Sequence, residues 1–460
     1  MHSLKNDRPN SARDAVDQTE LDERLHHVAV LGGAGKMGRG ITLVLLLEMA
    51  RTEATAQGTV GNGGYRLRVI DADEDALHSL YWYLKPHIIR WAEKNINFLR
   101  KVYETRSDLI DNEEIIHTFT EEALRIVYPS SSLIDAAESL LIFEAIVENV
   151  EIKAESFRKI EEVSDQTALY FTNTSSIPIR ALDDKAHLEN RIIGFHFYNP
   201  PPKQILVELI AHQDTLPILV TLAHELGARI GKKLVPSNDV AGFIGNGHFL
   251  RELSAVFDEV DRLKTQYDLP TSLVLMDTIT RDLLIRPMGL LQLLDYVGLD
   301  VANKISGIME KYIPQLNLNM HVVHSMVERG IYGGQNPDGS QKNGIFQYEK
   351  GIPNAIYCLS ASDYRPLPDI RGQIGNSPST LQTWKSLSRA RDNDSYLASY
   401  FTELFASDAL GARLAKKMLL TSRTIAKDLV ETGVAEQLVD VNAVLQYGFA
   451  HLYGPFNEYY

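Results

Sequence analysis

A strand, a glycine-rich turn and a helix follow one another at residues 28–50, VAVLGGAGKMGRGITLVLLLEMA, and this unit limits the chain to few folds. The hexad Gly33-Ala34-Gly35-Lys36-Met37-Gly38 has the spacing of a dinucleotide fingerprint in the setting that fingerprint requires. Gly33 permits a tight turn, Gly35 lets the backbone approach a pyrophosphate, and Gly38 allows the helix to pack closely on the strand. The helix N-terminus, with Lys36 and Met37 leading into it, then faces the phosphates. One extra glycine, Gly32, precedes the hexad.

A second strand is expected at 65–73, YRLRVIDAD, after a stretch at 51–64 that reads as an inserted glycine-bearing loop. Asp71 closes it. A carboxylate there can accept hydrogen bonds from both ribose hydroxyls and would repel a 2′-phosphate, favouring NAD over NADP; the other reading of Asp71 is a helix cap. Apolar runs ending in polar residues recur at 140–150, 168–176, 191–200 and 205–210, and read as buried parallel strands. With helical segments between several of them, they predict an α/β, Rossmann-type doubly wound parallel sheet.

Past residue 238 the sheet signals largely stop. Helical periodicity runs from 248 onward, and a block at 412–460 repeats the same order of features, ending at Tyr453-Gly454-Pro455 where the first block has Pro287-Met288-Gly289. The expected organisation is a solvated tail at 1–25, a Rossmann domain at 26–238, and an all-α C-terminal domain in two copies, 239–350 and a diverged 351–460.

Composition narrows the function classes. The formal net charge of -14 disfavours nucleic acid as a general partner. Any phosphate-bearing cofactor must be held by local donors instead. Cys358 is the single cysteine, which rules out an intramolecular disulfide and a cysteine-built metal site. It suggests a reducing, cytoplasmic compartment. No apolar run is long enough to predict a membrane span, and the first 25 residues lack the apolar core of a signal peptide.

Glu148, Ser175, His196 and Glu208 sit at or near the ends of the predicted strands, with Asn246 just beyond. In an open parallel sheet such ends converge on one crevice. A histidine there can act as a base near neutral pH, and a glutamate within reach would fix its tautomer.

Taken together, EAIVENVEIK at 144–153, FTNTSSIPI at 171–179, GFHFYNPPP at 194–202 with LVELI, AGFIGN at 241–246 and RPMGLLQLLDYVGLD at 286–300 resemble the L-3-hydroxyacyl-CoA dehydrogenase family. The resemblance implies NAD as cofactor, an acyl-CoA substrate, and no metal. It makes His196 the general base, Glu208 its orienting partner, and Ser175 and Asn246 the groups that hold substrate. Glu148 and Lys153 would lie along the cofactor. The basic stretch at 85–101 would meet the CoA moiety, Lys94 being the best single candidate; a solvated charged face is the alternative. Gly247 stands where the family commonly has an arginine. Other readings are a dehydrogenase of a free 3-hydroxy acid and an NAD-binding protein without turnover. A doubled helical domain would leave the chain either monomeric, its own copy covering the family's dimer face, or a homodimer.

Overall fold

The computed structural model describes residues 14–61, 64–165, 167–336, 339–390 and 392–460. The chain forms two compact units, one ending at Val235 and the other running from Pro236 to Tyr460.

An eight-stranded sheet organises the first. Its strands are β1 (His27–Leu31), β2 (Arg66–Ile70), β3 (Val127–Ser130), β4 (Leu141–Glu144), β5 (Leu169–Thr172), β6 (Ile192–Phe197), β7 (Leu206–Ala211) and β8 (Lys233–Asn238). Their spatial order is β3-β2-β1-β4-β5-β6-β7-β8. From β3 through β6 neighbouring strands are parallel. The strand order reverses between β1 and β4, which opens a crevice outside their carboxyl ends. On successive strands, Phe143 stacks on Phe171 at a centroid separation of 4.8 Å and Phe171 meets Phe195 edge to face at 5.7 Å, all three buried. Alternation along β6 turns His196 to the opposite face from Phe195 and Phe197.

Three sequence expectations change here. β7 is antiparallel to β6, not parallel, because the connection at 199–205 is too short for a crossover and suffices only for a hairpin. Residues 51–57 are no loop but the end of helix α2 (Gly38–Gln57), as their Ala, Glu and Gln content favours. The helix gives way to a short turn, with Val60 N–H donating to Glu122 at 3.1 Å and Gly61 N–H to Glu53 at 2.7 Å; residues 62 and 63 lie outside the described ones. The tail, of which 1–13 also lie outside the described residues, leads into helix α1 (Asp14–Leu25). Leu21 and Leu25, four apart and so on one helix face, are fully buried there.

The second unit, expected to be all-α, is helical among the described residues apart from a small antiparallel sheet, β9 (Phe346–Glu349), β10 (Ile352–Cys358) and β11 (Asp363–Pro366). Lys350 and Gly351, both at positive φ (50° and 78°), make the two-residue turn that joins β9 to β10. Three local features recur at a constant sequence offset in the two blocks read as a repeat. Asp277 Oδ1 accepts the N–H groups of Leu291 (3.1 Å) and Gln292 (2.9 Å), and Asn442 Oδ1 accepts that of Phe456 (3.0 Å). A Cβ on Gly289 would stand 2.1 Å from the Asp277 carboxylate, and one on Gly454 would stand 2.1 Å from the Asn442 amide. Ile285 and Ala450 share a rare left-handed backbone, at φ 49° and 55°. All three pairs keep one sequence offset. The leading helices of the two copies, Phe243–Leu263 and Leu410–Glu431, pack on each other, with Ser422 Oγ 3.1 Å from His248 Nε2.

Candidate active site

At the end of β1 the chain reverses at Gly32, whose φ of 69° falls in the left-handed region. The N–H groups of Gly32 and Gly33 both donate to the Ile70 carbonyl, at 2.7 and 3.1 Å. A Cβ on Gly33 would come within 2.5 Å of Val69 Cγ1, and one on Gly38 within 1.9 Å of the Gly32 carbonyl oxygen. Those two glycines are therefore fixed by packing, whereas a Cβ on Gly35 would press only on the Gly32 carbonyl oxygen, at 3.3 Å. The left-handed residue is thus the extra glycine, one position before the hexad. Lys36 is exposed and Met37 half-buried just ahead of α2.

Asp71, immediately after β2, turns its carboxylate onto this loop. Its Oδ2 accepts from Ala34 N–H at 3.1 Å and its Oδ1 from Asp73 N–H at 3.1 Å. Capping of the next helix, α3 (Glu74–Lys94), belongs to Asp73, which accepts from Ala76 N–H. Asp71 is left to the turn. A glycine cradle without side chains, beside a carboxylate suited to ribose hydroxyls, fits NAD.

Beyond β4 lies a buried network. Lys153 Nζ donates to Glu144 Oε1 at 2.5 Å and stands 3.4 Å from Glu148 Oε2. Burial would lower the Lys153 ammonium, but Glu144 and Glu148 outweigh it and hold its pKa above the ordinary range. Glu148 Oε1 accepts from Thr174 Oγ1 (2.7 Å), Ser175 N–H (2.9 Å), Ser175 Oγ (3.3 Å) and Ser176 Oγ (2.8 Å). Burial pushes this carboxyl up; Lys153 and the donors of the 174–176 turn bring it below its usual value. Glu148 is therefore charged, and it sets the loop that presents Ser175.

His196 lies on β6 directly opposite Glu208 on β7. Nδ1 is 3.0 Å from Glu208 Oε2, the glutamate is fully buried, and the imidazole is 8% exposed. Tyr198, two residues on and so on the same face of the strand, donates its hydroxyl to the same Oε2 at 2.8 Å. Burial, then the Glu208 carboxylate, holds the Tyr198 phenol well above its ordinary range, so it stays a donor. Asn173 Oδ1 accepts from Phe197 N–H at 2.8 Å and ties the end of β5 to that of β6.

Glu148, Lys153 and Ser175 thus form one connected group and His196 and Glu208 another, both at the carboxyl edge of the parallel strands. Asn246 belongs to the second unit, half-buried in the first turn of the helix Phe243–Leu263. Lys94 ends α3, exposed; within the basic stretch Lys85 is paired with Glu121 at 2.8 Å and Arg100 Nε donates to Asn112 at 2.9 Å. At Gly247 a Cβ would meet Arg251 Nη1 and Leu429 at 3.3 Å each. The guanidinium of Arg251, donating to the Gly247 carbonyl at 2.8 Å, and the second helical copy occupy the space a larger residue would need. Sequence reasoning missed Glu144, Thr174, Ser176 and Tyr198. Glu144 and Tyr198 left a trace, a carboxylate closing an apolar run and an aromatic two places from a histidine.

Residues 27–240 match the family described as 3-hydroxyacyl-CoA dehydrogenase, NAD binding domain, and residues 242–343 match its C-terminal domain. The chain belongs to the 3-hydroxyacyl-CoA dehydrogenase family. It is an NAD-dependent enzyme. Among its relatives, the mitochondrial hydroxyacyl-coenzyme A dehydrogenase of Sus scrofa is 32% identical over 288 residues, spanning 61% of this chain and 78% of that protein. A probable 3-hydroxybutyryl-CoA dehydrogenase of Bacillus subtilis is 29% identical over 61% of this chain and 84% of its own. In fold, the 3-hydroxybutyryl-CoA dehydrogenase of Escherichia coli K12 superposes with a TM-score of 0.60 over 94% of this chain and 90% of that one, at 21% identity. The fold likeness therefore extends past residue 350. Among the described residues no helix is long and apolar enough to cross a membrane.

Proposed function

We propose that this protein oxidises an L-3-hydroxyacyl-CoA to the 3-ketoacyl-CoA with His196 as the general base. The observation that carries this reading is the buried His196–Glu208 pair in register across β6 and β7. With Glu208 Oε2 accepting at Nδ1, the proton of neutral His196 sits on Nδ1 and Nε2 becomes the basic atom. Nε2 takes the proton of the 3-hydroxyl as the carbon-bound hydrogen leaves as hydride, and Glu208 stabilises the imidazolium so formed. NAD, when bound against the turn at 33–38 and Asp71, supplies the hydride acceptor. Ser175, set by Glu148, and Asn246 hold the substrate, and Lys94 meets its CoA portion. Purified protein should reduce NAD with L-3-hydroxybutyryl-CoA or a longer homologue. Inertness across all chain lengths would overturn the assignment.

Packing of one helical copy on the other within one chain supports a monomer, and a single buried cysteine, Cys358, supports a cytoplasmic setting. Sedimentation should give a species near 51.6 kDa. A stable species of twice that mass would remove the monomer.

A further inference from the structure

Between β3 and β4 the chain makes only a short 3-10 helix, Leu133–Glu138, where a full crossover helix would cover the sheet. A cavity of about 960 Å³ remains, lined among others by His27, Arg66, Arg68, Tyr128, Ile134 and Val163. It opens toward the amino ends of the strands, since His27 and Arg66 are the first residues of β1 and β2 and pair in register. The glycine turn and Asp71 lie past the other ends of those strands. Five residues at about 3.3 Å each separate the cavity's His27–Arg66 end from that turn by roughly 16 Å, while Ser130, whose carbonyl accepts from Asp71 N–H at 3.1 Å, lines its other edge.

Arg66 and Arg68, alternate residues of β2, share the face that lines this cavity. Arg68 is 8% exposed; its Nη2 pairs with Glu138, and its Nη1 has no hydrogen-bond partner among the described residues. His27 Nδ1 is likewise buried and unpartnered among them. Burial, then Arg68 and Arg66, holds this imidazole below its ordinary range against the opposing pull of Glu138, so a neutral ring stands beside Arg66 and the Arg68–Glu138 pair. The Arg66 guanidinium lies 5.9 Å from the centroid of Tyr128, itself half-exposed. Of the carboxylates lining the cavity, Glu138 is taken by Arg68, Asp135 accepts from Ser130 Oγ at 2.5 Å, and Asp165 is exposed. A buried guanidinium N–H without an acceptor is costly, and an anion that supplies one gains a charge-assisted bond.

We infer that this cavity binds a phosphorylated, ring-bearing small molecule of mononucleotide size, its phosphate on Arg66 and Arg68 and its ring against Tyr128 and Ile134. Paired guanidiniums match the several oxygens of a phosphate, and the volume suits such a ligand. Arg66 stands at the end of β2 away from the turn at 33–38 and Arg68 two residues further in, so protein saturated with NADH, in which that turn is already filled, is titrated calorimetrically with adenosine 5′-monophosphate and with adenosine. The nucleotide should bind saturably and adenosine should not. Arg66→Glu, at an exposed position, should weaken nucleotide binding by about tenfold or more while NADH affinity stays unchanged, and Arg68→Met should do the same. Absence of saturable nucleotide binding, equal binding of adenosine, or undiminished binding to Arg66→Glu would each overturn the proposal.

Discussion

Two buried histidine–glutamate pairs occupy the two units, and they are put to opposite uses. In the first, Glu208 has Tyr198 and His196 as its neighbours, with the His196 contact at 3.0 Å. In the second, Glu252 is occupied by Arg286, through Nη2 at 2.7 Å and Nη1 at 3.1 Å, and His248 Nδ1 stands 3.8 Å away. His248 is completely buried. Burial lowers its pKa by more than Glu252 and the Ser422 carbonyl, opposed by Arg286 and Arg251, restore, so it remains neutral. On the proposed mechanism the same residue types give a proton acceptor where the carboxylate takes a phenol beside the imidazole, and a fastening between two helices where a guanidinium has already claimed it.

The largest effect that could break this contrast is at His196. His196→Ala should lower kcat by about 10³-fold with the melting temperature little changed, the size expected for removal of a general base; retained activity would sink its assigned role. Next, Glu252→Gln should leave Arg286 as an uncompensated buried charge and cost about 3–5 kcal/mol of stability, read by chemical denaturation. Turnover per folded molecule should be unaffected. Glu208→Gln should cost about 10²-fold in kcat, since the imidazolium loses its counter-charge while the hairpin keeps its shape. The smallest effect is a slope. His248 is neutral when folded, whereas the unfolded chain binds a proton near the ordinary value of 6.5. Its contribution to stability is therefore constant above about pH 6.5 and is lost as pH falls below it, by about 1.4 kcal/mol per pH unit until the folded pKa is reached. His248→Asn should flatten that part of the stability profile.

The residues that act through their own chemistry were legible in the sequence, and their surroundings were not. Glycines 33 and 38 announce a turn because a side chain at either would collide with its neighbours, and His196 and Glu208 stand out as ionisable groups inside apolar strands. Strand direction is not written in such a strand: a run buried on both faces reads alike in a parallel or an antiparallel neighbour, so β7 was expected the wrong way round. Helix α1 was hidden because two buried leucines in a charged segment make a weak pattern. The hairpin of β9 and β10 was hidden because Lys-Gly is a sparse turn signal. Asp277 and Asn442 accept comparable backbone N–H groups, but one is charged and the other is an amide, so the likeness between them is hard to see in sequence.

The hairpin connection also acts as a ruler. Side chains alternate faces along a strand, so one residue inserted or deleted between Tyr198 and Glu208 would slip β7 by a single step and carry the carboxylate to the far side of the sheet, among the phenylalanines. Length variation in the 199–205 connection is therefore open only to changes that preserve parity or are absorbed in a bulge, and chimeras joined within it should inherit or lose the acid–base pair as a whole.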